Sequence, residues 1–124
     1  MPSPQTLERF VARVEQNAHA EAIEEFYNAS ASMRENGAAP RVGRAVLVEH
    51  EKRVLARAKS VKSTCIRPVF VDADKVVIRW VFEFVWQDGS CTRMEELAYQ
   101  RWEGEKIAEE QLFYDPAQRA PAVR

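Results

Sequence analysis

Glycine is scarce in this chain, at 4 of 124 residues, and cysteine is scarcer, at 2. So little glycine excludes a collagen-like or low-complexity chain. Cys65 and Cys91 lie far apart and form no CxxC, which excludes a disulfide-framed mini-domain and leaves two reduced thiols in a cytosol as the expectation. The two histidines, His19 and His50, have no metal-ligand spacing to either cysteine, so no metal is expected. Neither charge sign dominates: 18 Lys and Arg against 19 Asp and Glu leave a net charge of −1. That balance carries no footprint for nucleic acid or an anionic membrane surface. Long apolar runs are missing too, because Arg79 and Glu83 interrupt the most apolar stretch at strand length, which excludes a spanning helix. The first sixteen residues carry Glu8, Arg9, Arg13 and Glu15 around no apolar centre and do not read as a signal peptide, so a cytoplasmic location is expected.

What is present is 46% apolar and 30% charged residues, enough to bury a core without metal or disulfide support. One domain over residues 1–124 is expected, with its core at about 5–116 and a loose tail after Asp115, where Pro116 and Pro121 fall. Ser3-Pro4 reads as an N-cap followed by proline in the first helical turn. Leu7, Phe10, Val11 and Val14 then trace one face of a helix, which Asn17 ends. A second helix is expected from His19 to Tyr27, with Ile23, Phe26 and Tyr27 inward. The small polar residues Asn28 to Ser32 read as its stop, and Met33-Arg34-Glu35 as a short strand before a loop through Asn36-Gly37, Pro40 and Gly43. A third helix is expected from Arg44 to Lys59, with Leu47, His50 and Val54 on one face.

After Ser60 the apolar period changes from 3.6 to 2. Strands are expected at Val61–Val71, Lys75–Trp86, Cys91–Trp102 and Lys106–Asp115, joined at Asp72-Ala73-Asp74, Asp88-Gly89 and Glu103-Gly104. Helices followed by a meander make the class α+β. At the second hairpin, a three-residue loop Gln87-Asp88-Gly89 sets Phe84 opposite Thr92, Phe82 opposite Met94 and Glu83 opposite Arg93, whereas a two-residue loop would set Phe82 against Glu95. At the third hairpin a two- or four-residue loop aligns even-numbered residues of one strand with odd-numbered residues of the next. Together these registers define one face holding Trp80, Phe82, Phe84, Met94, Glu96, Ala98, Gln111, Phe113 and, at its end, Asp115. The opposite face carries Val77, Val81, Val85, Leu97, Tyr99, Leu112 and Tyr114 among its charges. The helices can cover only one of these faces, so a second copy of the chain is expected on the other, as a homodimer.

The helix pair ending in Glu25-Phe26-Tyr27, the stretch Met33-Arg34-Glu35-Asn36-Gly37, the Arg41-Val42-Gly43-Arg44 helix entry and the closing run from Trp102 to Asp115 resemble the nuclear transport factor 2-like superfamily, in its SnoaL-like and ketosteroid isomerase-like branches. The resemblance covers about Leu7 to Pro116 and implies a cone-shaped, curved antiparallel sheet wrapped around N-terminal helices, a cystatin-like roll that is often dimeric. It does not assign chemistry. Ketosteroid isomerase uses a carboxylate base, a tyrosine and a protonated carboxylic acid. By position the tyrosine falls near Phe10 and the acid at Ala98, and only Glu35 keeps a corresponding role, as base.

The residues leave several roles open. Glu35 is either a base at the mouth of the cavity, raised by burial, or a rim carboxylate paired with Arg34 or Arg41. Glu96 is either a carboxyl group inside the cavity, oriented by Gln111, or a solvated group at the open end. His50 is either a core histidine or one half of a proton-transfer dyad with Glu35 or Glu96. Asp115 either points inward or caps the chain's exit. Tyr27, Met33 and the aromatic set of Trp80, Phe82, Phe84 and Phe113 are wall, core or both. The expected function is a domain that binds a small apolar ligand without a cofactor and, if catalytic, acts as an isomerase, dehydratase or cyclase. The alternatives are a non-catalytic ligand- or protein-binding module and a subunit of a larger complex. A void of roughly 300 Å3 or more with converging ionisable groups separates the enzyme from a packed module.

Overall fold

The structure is a computed structural model, and it describes residues 1–120. Pro121, the only singled-out residue beyond that limit, lies outside the described residues. Helix α1 spans Pro4–Glu15, α2 His19–Phe26 and α3 Arg44–Ala56. Strands β1 (Tyr27–Glu35), β2 (Arg41–Val42), β3 (Ala58–Asp72), β4 (Lys75–Trp86), β5 (Cys91–Glu103) and β6 (Lys106–Phe113) form one curved sheet in the order β2-β1-β6-β5-β4-β3. The Ser3 hydroxyl caps α1 by accepting the Thr6 N–H, and Leu7, Phe10, Val11 and Val14 all become buried. The helices lie against one face of the sheet. Trp102, Phe26, Leu47, Ile78 and Ile107 are the largest apolar side chains sealed between the layers, each stabilising the fold by about 1.5–3 kcal/mol.

Two expectations about the first half are corrected. Asn28 to Ser32 form no turn: the chain passes straight from α2 into a nine-residue strand that pairs in parallel with β6 and antiparallel with β2. The sheet is therefore mixed. Sheet pairing overrides the weak strand preference of Asn, Ser and Ala, and the register slips between Tyr27 and Ser32 where that preference is weakest. Helix α3 stops at Ala56, because the next residues already pair with β4, beginning with Ala58 opposite Trp86. Gly43 makes the entry to α3: its φ of 104° is a conformation that side-chain-bearing residues rarely adopt, and its N–H bonds the Ala31 carbonyl.

The β4–β5 register is as expected, with Phe84 opposite Thr92, Phe82 opposite Met94 and Glu83 opposite Arg93 across the three-residue loop. Arg93 turns to Glu95 for its ion pair, at 3.1 Å. The β5–β6 hairpin does have a two-residue loop, with Glu103 opposite Lys106, but it is followed by a bulge. Trp102 faces Ile107 while Arg101 faces Glu109, so Ala108 is an extra residue and both Ile107 and Ala108 point into the core. From there even residues face even ones: Ala98 lies opposite Leu112 and Gln100 opposite Glu110.

The bulge reverses the assignment of β6. Gln111 and Phe113 do not join the inner face; they pair with Tyr99 and Leu97 on the outer one, where Phe113 is 43% exposed. Leu112 is on the inner face, packed against the core, and does not belong to the outer apolar set. Tyr114 also leaves that set, since its hydroxyl bonds Glu35 at 2.9 Å. Asp115 points away from the interior and caps a 3-10 turn, Pro116–Arg119, by accepting the Ala117 N–H. This segment is docked and not loose. β6 pairs with β5 only from Leu97 onward, and Gln118 takes the N–H of Glu95 just before that point, at 2.6 Å.

Candidate functional site

Between the helices and the inner sheet face lies a cavity of about 780 Å3. Its sheet wall is built by alternation. Trp80, Phe82, Phe84 and Trp86 on β4 and Thr92, Met94, Glu96 and Ala98 on β5 all project inward. Trp80 stacks on Phe82 and Phe84 on Trp86, with ring centroids 5.5 and 4.8 Å apart. The helix wall supplies Phe10, Val14, His19, Ile23, His50, Glu51 and Val54, and β1 supplies Tyr27, Met33 and Glu35. Of the candidate catalytic and ligand-binding residues named from the sequence, Gln111, Phe113 and Asp115 miss the cavity and the others line it.

Glu96 lies across from Trp80 and is 9% exposed. Among the described residues it makes no hydrogen bond or ion pair. Gln111, expected to orient it, instead donates to the Asn36 carbonyl from the other side of the sheet. Burial, helped by the negative charges of Glu110, Glu35 and Glu51, pushes the Glu96 carboxyl up to about 8. At neutral pH it is a neutral acid with a hydrogen to give.

Glu110 was missed because the bulge hides it from simple alternation. It is fully buried, accepts from Gln100 at 2.6 Å and accepts from the Tyr27 hydroxyl. Gln100 in turn accepts from the Trp102 indole at 2.9 Å. Burial raises the Glu110 carboxyl and outweighs the two hydrogen bonds that lower it. Tyr27 is raised well above its ordinary value, by burial first and then by Glu110. This polar chain spans β1, β6 and β5 and fixes the deep end of the cavity.

Glu35 is the paired rim carboxylate and not a raised base. It accepts from Arg41 at 2.8 Å and from Tyr114 at 2.9 Å, with Arg119 at 3.9 Å. Burial alone would raise it, but these bonds and charges together leave it below the usual carboxylate range. His50 lines the cavity without reaching Glu35 or Glu96, and among the described residues it makes no hydrogen bond. Burial and the Arg41 charge hold its imidazole below the ordinary value, so it is neutral at pH 7. A histidine–carboxylate pair does line the cavity, but it joins the other histidine: His19 Nδ1 lies 3.1 Å from Glu51 Oε1. The signal for it was His19 at the start of an apolar helix face, where a buried imidazole needs partners. Among the described residues no cluster of His, Cys, Asp and Glu is arranged to hold a metal.

The family model of the SnoaL-like domain matches residues 7–110. No curated protein matches the chain. Among solved structures, a hypothetical protein of Catenulispora acidiphila with a ketosteroid isomerase-like fold, in complex with trimethylamine, aligns with a TM-score of 0.77 at 18% identity, covering 94% of this chain and 89% of its own. A Mesorhizobium loti protein assigned as a SnoaL-like polyketide cyclase aligns with a TM-score of 0.76 at 18% identity, over 92% of this chain and all of its own. TerC, co-crystallised with polyporic acid, aligns with a TM-score of 0.74 at 13% identity, over 91% of each chain. At these identities the likeness is one of fold.

Proposed function

The chain belongs to the SnoaL-like domain family, and from that footing we propose that it binds a small, largely apolar molecule by an oxygen that accepts a hydrogen bond from Glu96, and that it acts as a cofactor-free isomerase, dehydratase or cyclase. The observation that carries this reading is Glu96 itself: a protonated carboxyl group, nine-tenths buried in an aromatic cavity, with no partner among the described residues. The carboxyl group faces the cavity, where a ligand carbonyl or hydroxyl would accept its hydrogen. In apolar surroundings a neutral acid stabilises negative charge developing on such an oxygen. A cavity of about 780 Å3 is far larger than a packed binding module needs. Polyporic acid, co-crystallised with TerC, and trimethylamine, in complex with the Catenulispora acidiphila protein, are both small molecules, in keeping with this reading.

In this reading Glu35, Arg41 and Tyr114 hold the mouth open, and the neutral His50 contacts the ligand. The aromatic wall formed by Trp80, Phe82 and Phe84 sets its shape. The protein works in the cytosol as a homodimer through the outer sheet face, where Leu97 and Tyr99 are 44% and 45% exposed beside Phe113. A row of half-exposed side chains on neighbouring strands supports a second copy of the sheet as the cover. Among the described residues no helix is long and apolar enough to cross a membrane.

The solvatochromic naphthyl ketone prodan tests the ligand class. Its emission should shift to the blue on binding at pH 6.5. Glu96→Leu should weaken binding by about 10-fold, the worth of one hydrogen bond, while Glu96→Gln, which keeps a donor, should retain most of it. Equal binding by the Leu variant refutes the role of Glu96, and no blue shift in the wild type refutes the ligand class.

A further inference from the structure

Four polar side chains from four separate parts of the chain meet beside the cavity. Asn17 follows α1, His19 opens α2, Glu51 lies on α3 and Ser63 on β3. His19 Nδ1 is 3.1 Å from Glu51 Oε1, and His19 Nε2 is 2.7 Å from Ser63 Oγ. Ser63 Oγ is also 2.9 Å from Asn17 Oδ1, and Phe82 meets the imidazole edge to face at 5.3 Å. Both ring nitrogens are engaged and the ring is packed, so the imidazole has one orientation. A carboxylate only accepts, so the hydrogen on Nδ1 goes to Glu51 and fixes its rotamer. Among the described residues Glu51 Oε2 has no partner, and Glu51 lines the cavity.

From this geometry we infer that Glu51 is the base that removes a proton from a ligand carrying an acidic C–H bond, and that His19 is its positioning residue. The inference rests on the binding reading above and narrows its substrate class. The ligand needs a C–H bond activated by an adjacent electron-accepting group, with the accepting oxygen directed at Glu96. The placement suits that task, since Glu51 is on the helix wall and Glu96 on the sheet wall, and both line the same cavity. The order Ser63–His19–Glu51 resembles a nucleophilic triad. Ser63, however, also bonds Asn17 and does not line the cavity, so it is the carboxylate end that faces the ligand.

Nitrobenzisoxazole provides the test, because its ring opening needs only a base. The Glu51 carboxylate takes the ring proton, the C–H electron pair completes a nitrile, and the N–O bond breaks with its pair on the phenoxide oxygen. That oxygen accepts a hydrogen bond from Glu96, and the yellow phenolate is read directly. The wild-type protein should turn the probe over, and Glu51→Gln should lose at least ~100-fold in kcat, the scale of general-base catalysis, with KM little changed. His19→Phe should lower kcat without moving KM, and His19→Asn, which keeps a short donor, should recover part of the loss. If the His19 variants do not fold, the kcat loss in Glu51→Gln still decides the base. Undiminished turnover by Glu51→Gln overturns the inference. A wild type that releases bound prodan to the probe yet does not convert it overturns the base assignment and leaves the binding reading standing. A probe that displaces no prodan, from a protein that binds none, overturns both.

Discussion

Replacing Glu96 by Gln keeps the shape of the side chain and removes its ionisation, so the pH dependence of stability isolates what burial does to this one carboxyl. Its proton is held up to about pH 8 in the folded chain against an ordinary value of 4.5. The folded state therefore binds the proton more tightly than the unfolded state does. This contribution is complete below about pH 4.5 and is lost as the pH climbs through about 8. Holding the proton from 4.5 up to about 8 sets a ceiling of about 5 kcal/mol, of which about 3 kcal/mol is lost by neutral pH. Urea unfolding from pH 4.5 to 8.5 measures it. The wild type should lose stability relative to Glu96→Gln by up to about 1.4 kcal/mol per pH unit, ending about 3 kcal/mol worse by pH 7 than at the acid end. The glutamine variant should be the more stable protein at pH 8. Parallel curves, differing by less than ~0.5 kcal/mol across the range, would mean that Glu96 is solvated, and the proton-donor role would fall with that result.

Tyr27→Phe removes one of the two donors to the buried Glu110, and thermal unfolding should register a loss of about 1–3 kcal/mol. Arg41→Ala removes the closest cation from Glu35. Glu35 is held low in the folded chain, so its contribution is present above the ordinary carboxylate range and lost as the pH falls; the variant should show a flatter stability profile on the acid side, and carbon NMR should find its carboxyl titrating higher. Leu97→Lys together with Phe113→Lys places charge on the outer sheet face without touching the cavity wall. Sedimentation should then show monomers where the wild type shows dimers, and a wild type that sediments as a monomer at micromolar concentration refutes the dimer.

Most of the fold could be read from the sequence because local chemistry and global packing agree over most of the chain. The cap at Ser3 and the apolar stripe of α1 depend only on neighbours within a few turns. The β4–β5 register followed from one choice of loop, since only the three-residue loop puts Phe82 opposite Met94 and Glu83 opposite Arg93. β1 could not be read this way. Asn28-Ala29-Ser30-Ala31-Ser32 has no strand preference of its own, and it is extended between Tyr27 and Ser32, which pair with β6, while the Ala31 carbonyl accepts from Gly43. A parallel partner that lies some eighty residues away leaves no local trace.

The candidate site divides along the same line. Trp80, Phe82, Phe84, Met94, Glu96 and Ala98 follow from alternation along two strands joined by a tight loop, and all six reach the cavity. Beyond Trp102 the same reasoning fails at a single residue. Ala108 is small and apolar, and nothing about it marks a bulge until Ile107 and Ala108 are both found in the core. That one extra residue exchanges Gln111 and Phe113 for Glu110 and Leu112, turning a neutral amide and a phenyl ring outward and a carboxyl group inward. The buried Glu110 is then one of the charges that hold the Glu96 proton in place. The acidity of the cavity is thus set by the parity of one short strand, a property that hydrophobic patterning does not encode. His19, Glu51 and Ser63 are a harder case, because each is unremarkable in its own segment and they acquire a joint role only where α2, α3 and β3 cross.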